Sequence, residues 1–206
     1  MISFSWIRRA PVDSRAALCL KDVTVRIGPH LVLTSVSFEI AVGDIVLVTG
    51  PNGAGKSSLF HAITGLPPIR VTEGTIHLFG ADIKELPPHE RVRRGLGYLF
   101  QRNNVFEHLT VRQNLLLAYG KRVVAEGNLV AATGQLAGAS LATPVRNLSN
   151  GQKQRLAWQM VTLRNPCVLL LDEPESGVSE PMPAIPEECT ALISTHEPTR
   201  WTVEKE

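Results

Sequence analysis

The chain has 206 residues, of which 44% are hydrophobic and 19% charged, and its net charge is +2 at pH 7. These values are typical of a soluble globular protein with one buried core, with or without a small subdomain. The mild charge gives no reason to expect nucleic acid or an anionic membrane as a direct partner. The three widely spaced cysteines argue against a disulfide framework or a zinc site, and no apolar run approaches the about 18 residues of a membrane span.

The first predicted elements are two half-buried strands. Apolar and polar residues alternate from Leu18 to Arg26 and from Val36 to Ile40, and Gly28-Pro29 marks a turn between them. We interpret this pair as an antiparallel lead-in. We assign no element to residues 1–13, in which the apolar residues precede the arginines, the wrong order for a signal peptide.

A phosphate-binding loop comes next. Residues 50–58 read GPNGAGKSS, with the aliphatic run Ile45–Val48 predicting a strand before the loop and Ser58–Thr64 predicting a helix after it. Backbone N–H groups of such a loop surround phosphate oxygens, and the helix presents its positive end to the same anion. The lysine reaches the β- and γ-phosphates and the following serine binds magnesium. The alternative is a glycine-rich turn that happens to precede a helix.

The predicted nucleotide-binding residues of this loop are Gly50, Pro51, Asn52, Gly53, Ala54, Gly55, Lys56, Ser57 and Ser58.

The middle of the chain has a different character. Val111–Tyr119 has the pattern of an apolar helix, and the small-residue stretch Asn128–Val145 carries no charge. We predict a helical insertion of modest stability over about residues 101–150, inside a single domain whose core occupies about residues 18–100 and 151–197.

Two later apolar runs, Val168–Leu171 and Ala191–Ser194, predict strands that are covered on both faces, as in a parallel sheet. They indicate a doubly wound α/β fold, in which ligands bind at the carboxyl ends of the strands. The first run ends in Asp172 and Glu173. Asp172 is a candidate for holding magnesium and Glu173 for orienting and deprotonating an attacking water. The alternative is two solvated acids at a strand end.

The segment Leu148–Gln152, which reads LSNGQ, together with Asp172-Glu173 resembles the signature sequence of the ATP-binding cassette (ABC) ATPases. The resemblance implies a P-loop NTPase core with an antiparallel β lead-in and an inserted helical subdomain. It also implies that Ser149, Gly151 and Gln152 contact the γ-phosphate of an ATP held by a second subunit. Taken alone, the segment also fits an ordinary helix start with Ser149 as the cap.

Two single residues extend the resemblance, which runs from about Leu18 to Glu197. Gln101 in GLGYLFQ matches the family's loop glutamine, which senses magnesium and water and faces the transmembrane partner. His196 in ISTHE matches the histidine that contacts the γ-phosphate. The implied catalytic residues are Glu173, His196 and Gln101, and the implied magnesium ligands are Ser57, Gln101 and Asp172.

The resemblance also implies cofactors and partners. These are ATP and Mg²⁺, transmembrane permease subunits, and a second ABC ATPase that forms a homodimer or a heterodimer with this chain, with no nucleic acid involved. The implied location is cytoplasmic, peripheral on the inner face of the cell membrane.

Several positions depart from the family pattern. Ile27 stands where an aromatic residue usually stacks on adenine, Asn150 where the signature usually has glycine, and Ser179 where an aspartate usually couples the two sites of a dimer. Three prolines between 181 and 186 occupy a segment that relatives build as a helix, and they forbid an ordinary helix interior. We therefore expect a shortened C-terminal part.

The leading interpretation is the energising subunit of a membrane transporter, and Val105–Ala118 looks most like importers of branched-chain amino acids. Two alternatives stay open. One is a soluble ABC ATPase that serves assembly or repair, suggested by VTEGTI at Val71–Ile76. The other is a nucleotide-binding regulatory module with weak hydrolysis, suggested by the departures from the family pattern.

Overall fold

The computed structural model describes residues 2–7, 15–102, 104–119, 139–176 and 184–201. Its contacts divide the chain into two compact units. The first unit comprises Met1–Tyr98, Cys167–Glu173 and Ile185–Glu206, and the second comprises Leu99–Pro166 and Pro174–Ala184. The second unit therefore includes the helix after the signature segment, which the sequence interpretation assigned to the core.

The described residues form two sheets. The five-stranded sheet has the order β1-β4-β9-β8-β7, and the four-stranded sheet has the order β3-β2-β5-β6. In chain order the strands are β1 (Ser3–Ile7), β2 (Ala16–Ile27), β3 (His30–Ala41), β4 (Ile45–Thr49), β5 (Ile69–Leu78), β6 (Ala81–Asp82), β7 (Leu96–Leu99), β8 (Val168–Asp172) and β9 (Thr190–Ser194).

The centre of the five-stranded sheet is parallel. Strand β9 pairs in parallel with β4 on one side and with β8 on the other. Every residue of β8 and β9 is buried, as the continuous apolar runs predicted. This confirms the α/β fold with a parallel-sheet core. The sequence analysis missed β1, which pairs antiparallel with β4 at the edge of the sheet.

The four-stranded sheet is the antiparallel lead-in that the sequence predicted. Strand β2 pairs antiparallel with β3 and with β5. The sequence analysis missed β5, which contains Gly74 at φ +79°. A Cβ at Gly74 would collide with the backbone carbonyls of Lys21 and Asp22. A glycine inside a strand often marks such a close approach of two backbones, and here it lies opposite an irregularity in the β2–β5 register.

Two helices complete the first unit. Helix α1 (Lys56–Thr64) buries Leu59, Phe60 and Ile63 in the main apolar core. The short helix α2 (Pro88–Arg93) carries Arg91, whose guanidinium donates to the carbonyls at the C-terminal end of α1. Apolar contacts with the core therefore fix α1 along its length, and hydrogen bonds from the buried Arg91 fix its last turn.

The second unit has its own small apolar core. It is built by α3 (Val111–Tyr119), a 3₁₀ turn at Val145–Asn147 and α4 (Asn150–Thr162). The predicted bounds of α3 are confirmed. The buried core residues are Val111, Leu115, Val145, Leu148 and Leu156.

Some predicted segments lie outside the described residues. They are residues 120–138 of the expected insertion and Ser179 with the first two of the three prolines. The described stretch 184–189 includes Pro186 and contains no helix. Within the ranges that the structure describes, no helix combines the length and apolarity that crossing a membrane requires.

Candidate functional site

The loop between β4 and α1 has the backbone of a phosphate-binding motif. Gly50, Gly53 and Gly55 have φ values of +154°, +79° and +97°, a region that L side chains rarely adopt. The N–H of Ala54 donates to the carbonyl of Pro51 at 3.1 Å and closes a turn. A Cβ placed on Gly53 would meet no described heavy atom within 4 Å. The loop therefore has an open face that a ligand can approach.

Helix α1 begins directly at this loop. Gly55 is its N-cap, no described side chain accepts a hydrogen bond from its first turn, and that turn carries no acidic residue. The first N–H groups of a helix lack intrahelical acceptors, and they carry the positive end of the helix dipole. This end of α1 is therefore suited to an anion such as a phosphate group.

Lys56 brings the loop and two other segments together. Its side chain is 5% exposed. Nζ donates to the Gly50 carbonyl at 2.8 Å and to the Pro51 carbonyl at 3.4 Å. The same atom lies 3.7 Å from Glu173 Oε1 and 3.5 Å from His196 Nε2. Three residues predicted from separate parts of the sequence thus meet in one cluster.

Glu173 lies where β8 ends and its backbone is unusual. Its φ is +45°, in the left-handed region that non-glycine residues rarely adopt, and its N–H donates to the Ser194 carbonyl and hydroxyl at 3.1 and 3.0 Å. The side chain is 15% exposed, and His196 Nε2 lies 2.8 Å from Oε1. Such strained positions persist where the surroundings hold them, often at functional sites. The carboxylate is held beside the phosphate loop by His196 and Lys56.

Asp172 is the more buried member of the acid pair, at 3% exposed. The Ser194 hydroxyl donates to its Oδ1 at 2.5 Å, and the Tyr98 hydroxyl donates to Oδ2 at 3.4 Å. Burial, and then the negative charge of Asp172, raise the pKa of Tyr98 well above its usual value. Tyr98 therefore keeps its proton as a donor, and the carboxylate of Asp172 is held in one orientation.

This arrangement fits a hydrated magnesium ion. Each carboxylate oxygen can accept more than one interaction, so Asp172 retains acceptor capacity beside its two hydroxyl donors. Ser57 is exposed in the first turn of α1 and offers a second oxygen. In the part of the chain that the structure describes, no group of three or more His, Cys, Asp or Glu side chains could hold a metal by itself. Magnesium commonly binds through one or two side chains, waters and substrate phosphates.

The signature segment starts α4 in the second unit. The Ser149 hydroxyl accepts from the Gln152 N–H at 3.2 Å, and the Gln152 side chain accepts from the Ser149 N–H at 2.9 Å. This capping box agrees with the helix start capped by Ser149 that the segment predicted when taken alone. Ser149 is exposed and Gly151 half-buried, so the cap does not bury this segment. Gln101 is also exposed and belongs to the same unit.

Two residues of the acid site were missed by the sequence analysis, Ser194 and Tyr98. Ser194 ends β9 and lies opposite Asp172 in the parallel register. A polar residue at the carboxyl end of a buried apolar strand was the available signal for Ser194. Tyr98 lies on β7 just before Gln101, and nothing in its local sequence indicated that it would contact Asp172.

Comparison with known families gives one extended match. The model of the family described as ABC transporter matches residues 33–176. This range includes the phosphate loop, the signature segment and the acid pair.

Curated relatives extend the similarity. The sulfate/thiosulfate import ATP-binding protein CysA of Mycobacterium tuberculosis is 39% identical over 165 residues, covering 77% of this chain and 45% of the relative. The sn-glycerol-3-phosphate import ATP-binding protein UgpC of Cereibacter sphaeroides is 37% identical over 170 residues, covering 79% and 47%. The chain thus spans about half the length of these relatives. The finer likeness to branched-chain amino acid importers is not tested by these names and stays a prediction.

Solved structures show the same fold. A bacterial Atm1-family ABC exporter with ATP bound superposes with a TM-score of 0.74 at 26% identity, covering 93% of this chain and 36% of that one. A nucleotide-free ATP-binding cassette from an ABC transporter gives a TM-score of 0.69 at 25% identity, covering 88% and 81%.

Proposed function

The chain belongs to the ABC transporter family, and from this premise we propose that it binds and hydrolyses ATP to energise a membrane transporter. The observation that carries the proposal is the cluster of Lys56, Glu173 and His196 beside the phosphate loop. An ammonium group, a carboxylate and an imidazole at a helix N-terminus suit phosphoryl transfer to water, which depends on positioning and on stabilisation of charge.

In this proposal ATP binds by its phosphates. The backbone of residues 50–58 and the N-terminus of α1 surround the β- and γ-phosphates, and Lys56 exchanges its carbonyl contacts for phosphate oxygens. Two features support this binding. The loop is open at Gly53, and no described side chain caps the first turn of α1. Ile27 stands near the β2–β3 turn and offers apolar contact to the base.

Glu173 acts as the general base in this proposal. Its carboxylate takes a proton from the attacking water, while His196 holds the carboxylate and contacts the γ-phosphate. Asp172, Ser57 and Gln101 are the residues that would hold Mg²⁺, and the ion would supply positive charge to the phosphates. The donors Ser194 and Tyr98 hold the carboxylate of Asp172 in place.

The proposed assembly contains two ABC ATPase subunits and a transmembrane permease. Ser149, Gly151 and Gln152 of one subunit contact the γ-phosphate of ATP bound to the other, supported by the exposure of Ser149 and the incomplete burial of Gly151 and Gln152 at the start of α4. The chain then lies on the cytoplasmic face of the cell membrane, and the permease supplies the path for the solute. The names of the curated relatives favour import as the direction of transport.

The substitution Glu173→Gln tests the chemical step. We expect ATP binding to be retained and phosphate release to fall by about 100-fold or more, because a general base contributes about 10²–10⁴-fold. We also expect ATP to shift the variant from monomer to dimer in sedimentation velocity. The matched control is Glu188→Gln, which changes an exposed acid in the first unit and leaves turnover unchanged.

Two outcomes would overturn this assignment. Wild-type turnover in Glu173→Gln would remove Glu173 from the mechanism. If the wild-type chain instead bound ATP tightly and released phosphate no faster than Glu173→Gln does, that result would favour a regulatory module. Fractionation of native cells separates the remaining alternative, since a transporter subunit co-sediments with membranes and an assembly or repair ATPase does not.

A further inference from the structure

Strand β1 lies where nothing in the sequence analysis predicted an element. It pairs antiparallel with β4 from Ser3 opposite Thr49 to Ile7 opposite Ile45. The opposite edge of β4 is bonded to β9. β4 is therefore flanked on both sides, although it would otherwise form the edge of the parallel sheet.

Burial explains why β4 needs this second partner. Its residues Ile45–Val48 are at most 4% exposed, and Val46 and Val48 belong to the main apolar core. A buried strand with one unpaired edge would leave its outward N–H and C=O groups without hydrogen bonds, which destabilises the strand. The pairing with β1 satisfies these groups.

A side-chain contact anchors β1 in the same core. Phe4 packs against the core with its ring centroid 4.7 Å from that of Phe38 on β3, at an interplanar angle of 36°. Ser3 and Ser5, its neighbours on the strand, are exposed. The alternation of exposed and packed residues fixes which face of β1 turns inwards, because a shift by one residue would expose Phe4.

The register places Ser3, the first residue of β1, opposite Thr49, which directly precedes the phosphate loop. The pairing of β4 with β9 ends at Val48 opposite Ser194, whereas β1 continues to Thr49. The next residue, Gly50, accepts a hydrogen bond from Lys56 through its carbonyl. Strand β1 thus pairs with the residue from which the loop departs, one position beyond the reach of β9.

We infer that β1 is a positioning strand for the phosphate loop: its pairing with β4 holds Thr49 and the path of the chain into Gly50, and so sets the affinity for the nucleoside triphosphate. No residue of β1 needs to touch the nucleotide for this effect. Small displacements of a binding group weaken its contacts strongly, and a strand paired on both sides moves less than an edge strand. This inference rests on the proposed ATP-binding function.

Deletion of residues 2–7 with complementation by a peptide tests the inference. We expect the deletion to raise the Kd for ATP at least tenfold and to accelerate amide hydrogen exchange at Ile45, Leu47 and Thr49, whose N–H groups face β1 because the alternate residues of β4 bond to the β9 side. A synthetic peptide ISFSWI should add back as a strand and restore both measurements, because an unpaired sheet edge accepts an extended peptide. The same peptide with proline in place of Phe4 is the control, since it lacks the anchoring ring.

If the deletion variant does not fold, two point substitutions in β1 test the same inference. Phe4→Ala in the full chain should raise the ATP Kd three- to tenfold, and Ser5→Ala on the same strand should leave it unchanged. The control for general destabilisation is Val111→Ala, which removes buried apolar volume from the core of the second unit. At an equal loss of Tm, Val111→Ala should leave the ATP Kd within twofold of wild type.

The outcomes separate this inference from the proposed function. An unchanged ATP Kd in a folded deletion variant, or equal Kd changes in Phe4→Ala and Val111→Ala at equal Tm loss, overturns the positioning role while ATP binding stands. Absence of ATP binding in the full chain overturns the proposed function. In that case the hydrogen exchange of Ile45, Leu47 and Thr49, which needs no nucleotide, still reports whether β1 pairs with β4.

Discussion

The two ends of helix α1 have opposite chemistry. At the N-terminal end, Gly55 leaves the first turn uncapped by any described side chain, and Lys56 lies beside it. At the C-terminal end, Nη1 of the buried Arg91 donates to the carbonyls of Ala62 and Ile63 at 2.8 Å each. Nε and Nη2 of Arg91 donate to the carbonyls of Leu86 and Lys84 at 2.8 and 2.5 Å, respectively.

The difference shows how one helix serves both stability and binding. A cation at the carboxyl end interacts favourably with the helix dipole and satisfies carbonyls that lack intrahelical partners. Burial lowers the pKa of Arg91, but arginine remains charged because its ordinary pKa is so high. The protein thus satisfies one end of α1 internally and leaves the other end without a side-chain cap among the described residues, where the proposed function puts a phosphate group.

The largest expected effect is at the ligand end. Lys56→Met should raise the ATP Kd by about 100-fold, because a charge-assisted hydrogen bond contributes about 1.5–3 kcal/mol and 1.4 kcal/mol is a factor of ten. Lys84→Met at the other end is the matched control and should leave the Kd within twofold. Titration of a fluorescent ATP analogue measures both. Equal effects from the two lysines would contradict the comparison.

Arg91→Met should act on stability. It leaves buried carbonyls without donors, and we expect the free energy of unfolding to fall by about 3 kcal/mol, measured by urea denaturation. Arg91→Lys keeps the charge but loses the planar fork, so it should recover only part of the loss. Arg93→Met on the exposed face of α2 is the control, with an expected change below about 0.5 kcal/mol. A loss in Arg93→Met as large as that in Arg91→Met would refute the capping role.

A pair of glycine substitutions sharpens the comparison. Gly65 at the C-terminal end has φ +73°, and a Cβ there would lie 2.8 Å from Arg91 Cζ. Gly53 in the loop has φ +79° with open space around it. We expect Gly65→Ala to cost about 2 kcal/mol and Gly53→Ala about 1 kcal/mol by urea denaturation, with weaker ATP binding only in Gly53→Ala. If Gly53→Ala lowered the free energy of unfolding more than Gly65→Ala, the Arg91 side chain would be shown to move away from the added Cβ at little cost.

The smallest expected effect is a pH dependence from His61 in the last turn of α1. Burial lowers the pKa of His61, and Asp172 offsets part of this. The unfolded chain therefore binds the proton more readily than the folded chain. The stabilising contribution is complete above about pH 6.5 and decreases as the pH falls below that value. His61→Gln should flatten the curve of unfolding free energy between pH 7 and pH 5; an unchanged slope would assign it to other groups.

Local patterns predicted much of the fold and of the candidate site. The phosphate loop, the strands β4, β8 and β9, helix α3 and the cap of α4 were all visible as spacing, apolar runs or capping residues. Each depends on residues within one short segment, so the backbone preference and the side-chain pattern agree without distant partners. The resemblance to the ABC ATPases joined these segments into one expected site.

The residues that were missed share a different property, since each acts through a partner far away in the chain. β1 pairs with β4 about forty residues later, Arg91 caps a helix that ends at Thr64, and Ser194 donates to Asp172. β5 was missed because Gly74 interrupts its alternation where two backbones meet.

The sequence by itself determined the phosphate-loop pattern, the apolar strands of the parallel core and the pair of adjacent acids, because each of these features lies in contiguous residues. The tertiary structure decided which strand flanks β4, which donors orient Asp172 and which cation completes α1. These are choices of long-range partner, and they depend on how the chain closes on itself and satisfies its buried polar groups.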